Sequence, residues 1–186
     1  MEIKIRKALS SDLESINHIY NHIHTEEENG AVSIGWIRDV YPTKETAKDA
    51  LLRNDLFVEE ADGEIVGTAI INQIQVDIYK DAAWQYEFPN EKIMVLHTLV
   101  IDPYVKGHGF RKKFVEYYEQ YARENGCCSL RMDTNARKFY KKLGYHEIGV
   151  LPCQFNGIPD VQLVLLEKNF HNFYYKNTRC IPFVIF

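Results

Sequence analysis

Apolar and polar residues recur with two different periods along the chain. Alternation, or a short continuous apolar run, predicts a strand, whereas apolar residues three and four apart predict a helix. The patterns predict strands at 2–8, 55–60, 65–72, 92–101, 127–133, 145–151 and 161–168, and helices at 11–24, 43–53, 109–125 and 136–143. Hairpins early in the chain and strand–helix units later predict a mixed α/β fold, with helices on both faces of one sheet.

The segment from Asp102 to Lys112 connects a predicted buried strand to a predicted amphipathic helix. It contains Gly107 and Gly109, and its cations are Lys106, Arg111 and Lys112. Glycines let the backbone approach a ligand closely, and the first amides of a helix have no partner within the helix. The turn therefore suits a phosphate group. Plain turn chemistry is the alternative, because a glycine pair before a helix is common.

The order Lys106-Gly107-His108-Gly109-Phe110-Arg111 resembles the acetyl-CoA signature of the GNAT acetyltransferase superfamily. Three further segments resemble other parts of that family: residues 5–13 its opening strand and helix, 62–67 its central hairpin, and 137–145 its late helix and exit turn. The resemblance covers residues 2–168 and leaves 169–186 as an apolar tail. It implies a mostly antiparallel mixed sheet with a splayed central strand, and an N-acetyltransferase that uses acetyl-CoA.

The same resemblance implies roles for particular residues. Residues of the turn would hold the CoA pyrophosphate, backbone groups of the central strand would pair with the pantetheine arm, and a tyrosine would protonate the departing thiolate. The turn residues are Lys106, Gly107, His108, Gly109, Phe110, Arg111 and Lys112, with Asn135 as a further cofactor contact; the strand residues are Leu99, Val100 and Ile101; the tyrosine is Tyr140. With Phe139 and Leu143 packed inward, Tyr140 is expected at the margin of its helix face. The alternative is that Tyr140 is a further core aromatic, which the residues alone favour.

Departures from the family pattern keep a second function open. Lys106 replaces an Arg or Gln, and Arg111 stands where the family has Gly or Ala. Asn135 directly precedes Ala136, so it is either a cofactor contact or the helix N-cap. The alternative to catalysis is a CoA-binding or sensing module without activity.

The general base is not marked by a motif. His97 lies on the central strand, and with a reference pKa near 6.5 a histidine takes up a proton at neutral pH. Glu87 and Glu91, just upstream, are the rivals, and a packed core histidine is the structural alternative.

Composition indicates one soluble domain. The chain has 186 residues, of which 46% are hydrophobic and 26% charged, and its formal net charge of −4 argues against nucleic acid as a partner. It contains no apolar run of membrane length and no signal-peptide pattern, which predicts a cytoplasmic protein.

No metal ion is expected from the sequence. His18 and His22 are four residues apart, but the apolar stripe of their helix places them on its solvent-exposed face. The cysteines lack the spacing of zinc ligands.

Two segments of the chain are candidates for contacts with a substrate or a partner. Residues 73–92 mix carboxylates with aromatic rings, as a pocket for a small-molecule or peptide amine would, although a solvated loop with core aromatics is the alternative. The apolar end of the tail, residues 181–186, is expected to dock on its own domain or across a homodimer.

Overall fold

A computed structural model describes residues 1–105, 107–155 and 158–170, and these contain seven strands, four α-helices and three short 3-10 helices. The strands are β1 (Ile3–Lys7), β2 (Leu56–Ala61), β3 (Glu64–Asn72), β4 (Ile93–Ile101), β5 (Ser129–Asp133), β6 (His146–Phe155) and β7 (Ile158–Asn169). The α-helices are α1 (Leu13–Glu28), α2 (Lys44–Leu52), α3 (Phe110–Glu124) and α4 (Arg137–Lys142).

The strands form one open sheet in the order β1-β2-β3-β4-β5-β7-β6. The pairs β1–β2, β2–β3, β5–β7 and β6–β7 are antiparallel, whereas β4 and β5 are parallel. The parallel ladder joins Ile93–Val95 to residues 129–131 of β5, and β4 then continues to Ile101. The sheet is therefore mixed and mostly antiparallel, as the sequence predicts.

Local sequence explains where several elements begin and end. The Asp62-Gly63 turn between β2 and β3 has positive φ at both residues, 49° and 90°, which suits the tight turn of a two-residue hairpin. Thr43 caps α2, because its side chain accepts a hydrogen bond from the Thr46 amide at 3.3 Å.

The first compact unit comprises Met1–Ile71 and Leu96–Tyr118. Its main core joins α1 and α2 to β2: Ile16, Ala47 and Val58 are each fully buried in it. Phe57 points to the opposite face of β2, where its ring lies 5.7 Å from that of Tyr117 on α3. Helices therefore cover both faces of this part of the sheet.

The second unit comprises Asn72–Val95 and the chain from Glu119 onward. Tyr79, Ile93, Val95 and Leu165 form its buried apolar cluster. On β5, alternate residues Ser129, Arg131 and Asp133 are polar, and each side chain makes a hydrogen bond within this unit.

The predicted elements are all present, with shifted ends. α1 extends to Glu28 rather than residue 24, β5 begins at Ser129 rather than 127, and β6 and β7 are longer than predicted. Within the described part of the chain, no helix has the length and apolar content needed to cross a membrane. The prediction for the tail falls on residues 171–186, which lie outside the described residues.

Candidate active site

A β-turn follows β4 directly. The Val105 amide donates to the carbonyl oxygen of Asp102 at 3.0 Å, and the Asp102 side chain accepts the Tyr104 amide at 3.0 Å. Asp102 is itself tied to β3, because its amide donates to the Val66 carbonyl at 2.9 Å. Pro103 occupies the second position of this turn, where its fixed φ is favourable.

The two glycines of the turn, Gly107 and Gly109, lie immediately before α3. Gly107 and Gly109 have φ of 95° and 70°, a backbone region that residues with a Cβ rarely adopt. The Gly109 carbonyl accepts the Lys113 amide at 3.1 Å, so helical bonding starts at this residue. Apart from the chain neighbours of each glycine, no atom of the described residues lies within 4 Å of where a Cβ would be. The backbone is thus open on this side of both glycines.

The other predicted residues of the turn differ in exposure. Phe110 is buried, in a cluster with Ala61 and Val66, and anchors the start of α3. His108, Arg111 and Lys112 are exposed, and Lys112 forms a long surface ion pair with Glu116, 3.5 Å between Nζ and Oε1. Lys106 lies outside the described residues.

The burial of residues on β4 changes halfway along the strand. Ile93–Leu96 are buried, whereas from residue 97 onward half-buried and buried residues alternate. His97, Leu99 and Ile101 are half-buried, while Val100 is buried. The prediction of a strand covered on both faces therefore holds only for the first half of β4.

Thr98 has a positive φ of 49° in the middle of this strand. A β-branched residue in this region is a genuine outlier, and such strain persists only where the surroundings fix it. Here the Tyr41 hydroxyl and the Thr98 hydroxyl are hydrogen-bonded, and the ring of Trp36 packs edge-on against Tyr41 at 6.0 Å. Sequence analysis missed this feature, because no motif marks a left-handed threonine.

Tyr140 is buried on α4, contrary to the packing predicted for this helix. It is 5% exposed, and its ring makes edge contacts with those of Phe139 at 5.0 Å and Tyr145 at 5.6 Å. Phe139 and Leu143, expected to point inward, are half-buried. The prediction that Tyr140 lies at the margin of its face is wrong, because α4 has only six residues and its apolar pattern does not fix its orientation.

Asn135 is exposed and does not cap α4. The N-cap position is held by Ala136, whose amide donates to the Thr134 hydroxyl at 3.0 Å. The alternative reading of Asn135 as the helix N-cap is therefore wrong, and its predicted contact with the cofactor stays a prediction.

The carboxylate of Asp133 lies at the end of β5, two residues before Asn135. Asp133 is half-buried, and its Oδ2 accepts a hydrogen bond from the Tyr79 hydroxyl at 2.8 Å. Burial raises the pKa of Asp133, and the Tyr79 hydrogen bond offsets part of this effect. The sequence signal for this pair is weak, since the two residues are separated by 54 positions.

Aromatic residues of the segment 73–92 are used mainly for packing. Tyr79 is buried. The Arg131 guanidinium carbon lies 4.1 Å from the centre of the Trp84 ring, so this ring already makes a cation–π contact within the protein. Glu87 and Glu91 are exposed to solvent. The reading as a loop with core aromatics fits Tyr79 and Trp84.

His18 and His22 on α1 have different surroundings. The described residues contain no group of three or more His, Cys, Asp or Glu side chains arranged to hold a metal ion. His18 is exposed, whereas His22 contacts the carboxylate of Asp102, a partner that the sequence did not reveal.

Comparison with known families supports this arrangement of strand, glycine turn and helix. The model of the acetyltransferase (GNAT) family matches residues 14–145. The chain belongs to this family. It is accordingly an acyltransferase, and the match runs from α1 through the glycine turn to Tyr145. No curated protein matches the sequence of this acetyltransferase.

Solved structures share the fold at low sequence identity. The candidate acetyltransferase yncA from Salmonella typhimurium, solved with acetyl-CoA, is 16% identical with a TM-score of 0.66, over 96% of this chain and 100% of that chain. Ribosomal-protein-alanine N-acetyltransferase from Brucella melitensis is 19% identical with a TM-score of 0.63, over 90% of this chain and 99% of that one.

A longer enzyme contains the same fold as one part. N-acetylglutamate synthase from Neisseria gonorrhoeae, solved with coenzyme A and N-acetyl-glutamate, is 19% identical with a TM-score of 0.62. The match covers 92% of this acetyltransferase but only 36% of that enzyme. Its likeness therefore concerns the fold of the shared part.

Proposed function

We propose that this protein transfers an acetyl group from acetyl-CoA to a primary amine of a small molecule or a peptide. The observation that supports the proposal is the glycine turn before α3, which follows the family motif and has a positive φ at both glycines. A glycine turn before a helix is suited to a phosphate. The positive φ of Gly107 and Gly109 makes this conformation hard to keep with any other residue.

Acetyl-CoA supplies the activated acetyl thioester. The turn at Gly107 and Gly109 and the first amides of α3 bind its pyrophosphate, with Lys106, Arg111 and Lys112 adding positive charge. Backbone groups of Leu99, Val100 and Ile101 on β4 bind the pantetheine arm as an added strand would. Asn135, exposed after β5, adds a polar contact.

His97 is the proposed general base. It is half-buried on β4, and it would take the proton of the acceptor ammonium before attack. Glu87 and Glu91 are weaker candidates because both are solvated. The change His97→Ala should lower kcat/KM about 100-fold and flatten its pH dependence near neutrality, whereas Glu87→Gln should leave both unchanged.

Tyr140 is the proposed donor of a proton to the departing thiolate. A phenol has a reference pKa near 10, so it carries a proton at neutral pH. This property suits an acid that must remain protonated until the leaving group forms.

Two measurements test the function. Acetyl-CoA and CoA should each raise the melting temperature, since both bind the native state only. Release of free thiol should then depend on an added amine, in a panel that spans polyamines, amino acids and peptide N-termini. Stabilisation by CoA without thiol release for any amine would favour the non-catalytic CoA-binding module instead.

A homodimer stays a proposal, based on the apolar tail. Phe170 is held by a hydrogen bond from its amide to the Cys128 carbonyl at 2.9 Å, so a truncation that spares the domain should end after this residue. Light scattering should show a dimer for the full chain and a monomer for the protein lacking residues 171–186. A dimer in both cases would reject the tail as a dimer contact.

A further inference from the structure

His22 extends from α1 to the β-turn that follows β4. Its Nδ1 lies 3.1 Å from each carboxylate oxygen of Asp102. The Asp102 side chain is 14% exposed and that of His22 39% exposed, so the contact is partly shielded from water. Such a pair fixes two elements that are 80 residues apart in sequence.

The Asp102 carboxylate also organises the turn itself. Its Oδ1 accepts the Tyr104 amide at 3.0 Å, while the Asp102 carbonyl closes the turn with the Val105 amide. The same side chain thus receives one hydrogen-bonding group from α1 and one from its own turn. Without the His22 contact, the Asp102 carboxylate would keep its hydrogen bond within the turn but would no longer join the turn to α1.

Tyr104 provides a second contact with α1. Its ring centre lies 4.6 Å from that of His22 on α1. Tyr104 is nevertheless 55% exposed, which is unusual for a ring that serves only to fill a core. Both side chains of the turn, Asp102 and Tyr104, therefore face α1.

We propose that His22 is a positioning residue for cofactor binding: by holding Asp102 and Tyr104 against α1, it fixes the turn that leads into Gly107 and Gly109. The inference rests on the proposed role of these glycines in binding the CoA pyrophosphate. A turn that is ordered before binding does not lose conformational entropy when the ligand arrives, so it binds more tightly. His22 acts through Asp102 and does not touch the cofactor.

The experiment compares three variants. His22→Ala removes the contact, and His22→Asn restores a donor near the position of Nδ1. His18→Ala is the matched control, because His18 is exposed one turn earlier on the same helix. Melting curves identify any variant that fails to fold. The affinity for CoA is measured by calorimetry, and KM for acetyl-CoA and kcat by thiol release.

His22→Ala should bind CoA about tenfold more weakly and raise KM for acetyl-CoA by a similar factor, with kcat within about twofold of wild type. His22→Asn should recover most of the affinity, and His18→Ala should match wild type. A role in general stability would instead lower the melting temperature of His22→Ala without changing the affinity of the folded protein, which would overturn the proposal.

Hydrogen–deuterium exchange provides a readout that needs no cofactor. In His22→Ala the amides of Tyr104 and Val105 should exchange faster than in wild type, while the hairpin amide of Gly63 should not change. Unchanged exchange or unchanged CoA affinity in a folded His22→Ala would overturn this inference alone. Failure of the wild-type protein to bind CoA would overturn the proposed function and, with it, the positioning role.

Discussion

The Arg131 guanidinium and the Glu167 carboxylate form a buried ion pair, with Nε 3.3 Å from Oε1. Arg131 also donates to Gln75 Oε1 at 2.6 Å and to the Tyr86 carbonyl at 3.1 Å. Burial lowers the pKa of Arg131, and the neighbouring Glu167 carboxylate opposes this change. The pair thereby ties residues of the segment 73–92 to β5 and β7.

Replacement of Arg131 by Met should lower the free energy of unfolding by about 3 kcal/mol, because it leaves Glu167 buried without its partner. The double change Arg131→Met and Glu167→Leu should cost less than Arg131→Met alone. Arg137→Met is the control: its pair with Glu147 is exposed, at 3.4 Å, and its loss should change stability by less than about 0.5 kcal/mol. Urea unfolding measures all three, and a double variant as unstable as the single one would contradict this account.

Gly109 should not tolerate a side chain without loss of CoA binding. Its φ of 70° strains any residue with a Cβ, so Gly109→Val should distort the turn and weaken CoA binding tenfold or more, which corresponds to about 1.4 kcal/mol. Gly63→Val introduces comparable strain in the β2–β3 hairpin, where φ is 90°, and should leave the affinity unchanged. Calorimetric titration with CoA decides the matter; equal affinities for Gly109→Val and wild type would reject the phosphate role.

Tyr140→Phe should lower kcat by about one to three orders of magnitude and leave CoA affinity close to wild type. The change removes only the hydroxyl, so the aromatic contacts with Phe139 and Tyr145 are kept. Tyr145→Phe is the matched control, since Tyr145 is also buried and its ring lies 5.6 Å from that of Tyr140. Steady-state thiol release with a saturating amine gives kcat for both. Full turnover of Tyr140→Phe would assign this residue to packing alone.

Glu59 should make stability depend on pH near neutrality. Its side chain is fully buried on β2, its carboxylate oxygens have no hydrogen bond within the described structure, and Lys113 is the charge that acts on it. Burial raises the pKa of this carboxyl to about 7, against 4.5 for the unconstrained group. Between these values the folded state keeps a proton that the unfolded state loses, so stability falls as the pH rises through this window.

Glu59→Gln removes this penalty, because the amide carries no charge at any pH. The variant should match wild type near pH 4.5 and exceed it by about 1–2 kcal/mol at pH 8. Glu64→Gln, an exposed change in the next strand, should show no such pH-dependent gain. Urea unfolding at several pH values tests this, and a gain for Glu59→Gln that is equal at pH 5 and pH 8 would contradict the assignment.

Local sequence determined the elements and the glycine turn. Strand and helix periods, the Asp62-Gly63 hairpin and the positive φ of Gly107 and Gly109 depend on residues that are neighbours in the chain, so their patterns are readable without a structure. The order of these motifs indicated the family, which the match over residues 14–145 confirms. The orientation of Tyr140 was the exception, because a helix of six residues is too short for its period to define one face.

Tertiary structure alone decided the contacts between distant residues. His22 meets Asp102 across 80 positions, Tyr79 meets Asp133 across 54, and Arg131 meets Glu167 across 36. Each pair needs two elements to be placed side by side, and the charge pattern of one element does not specify which partner the sheet and helices will bring to it. Burial decided the state of Glu59 in the same way: its raised pKa arises from water excluded by packing, a property of the whole fold that no local pattern records.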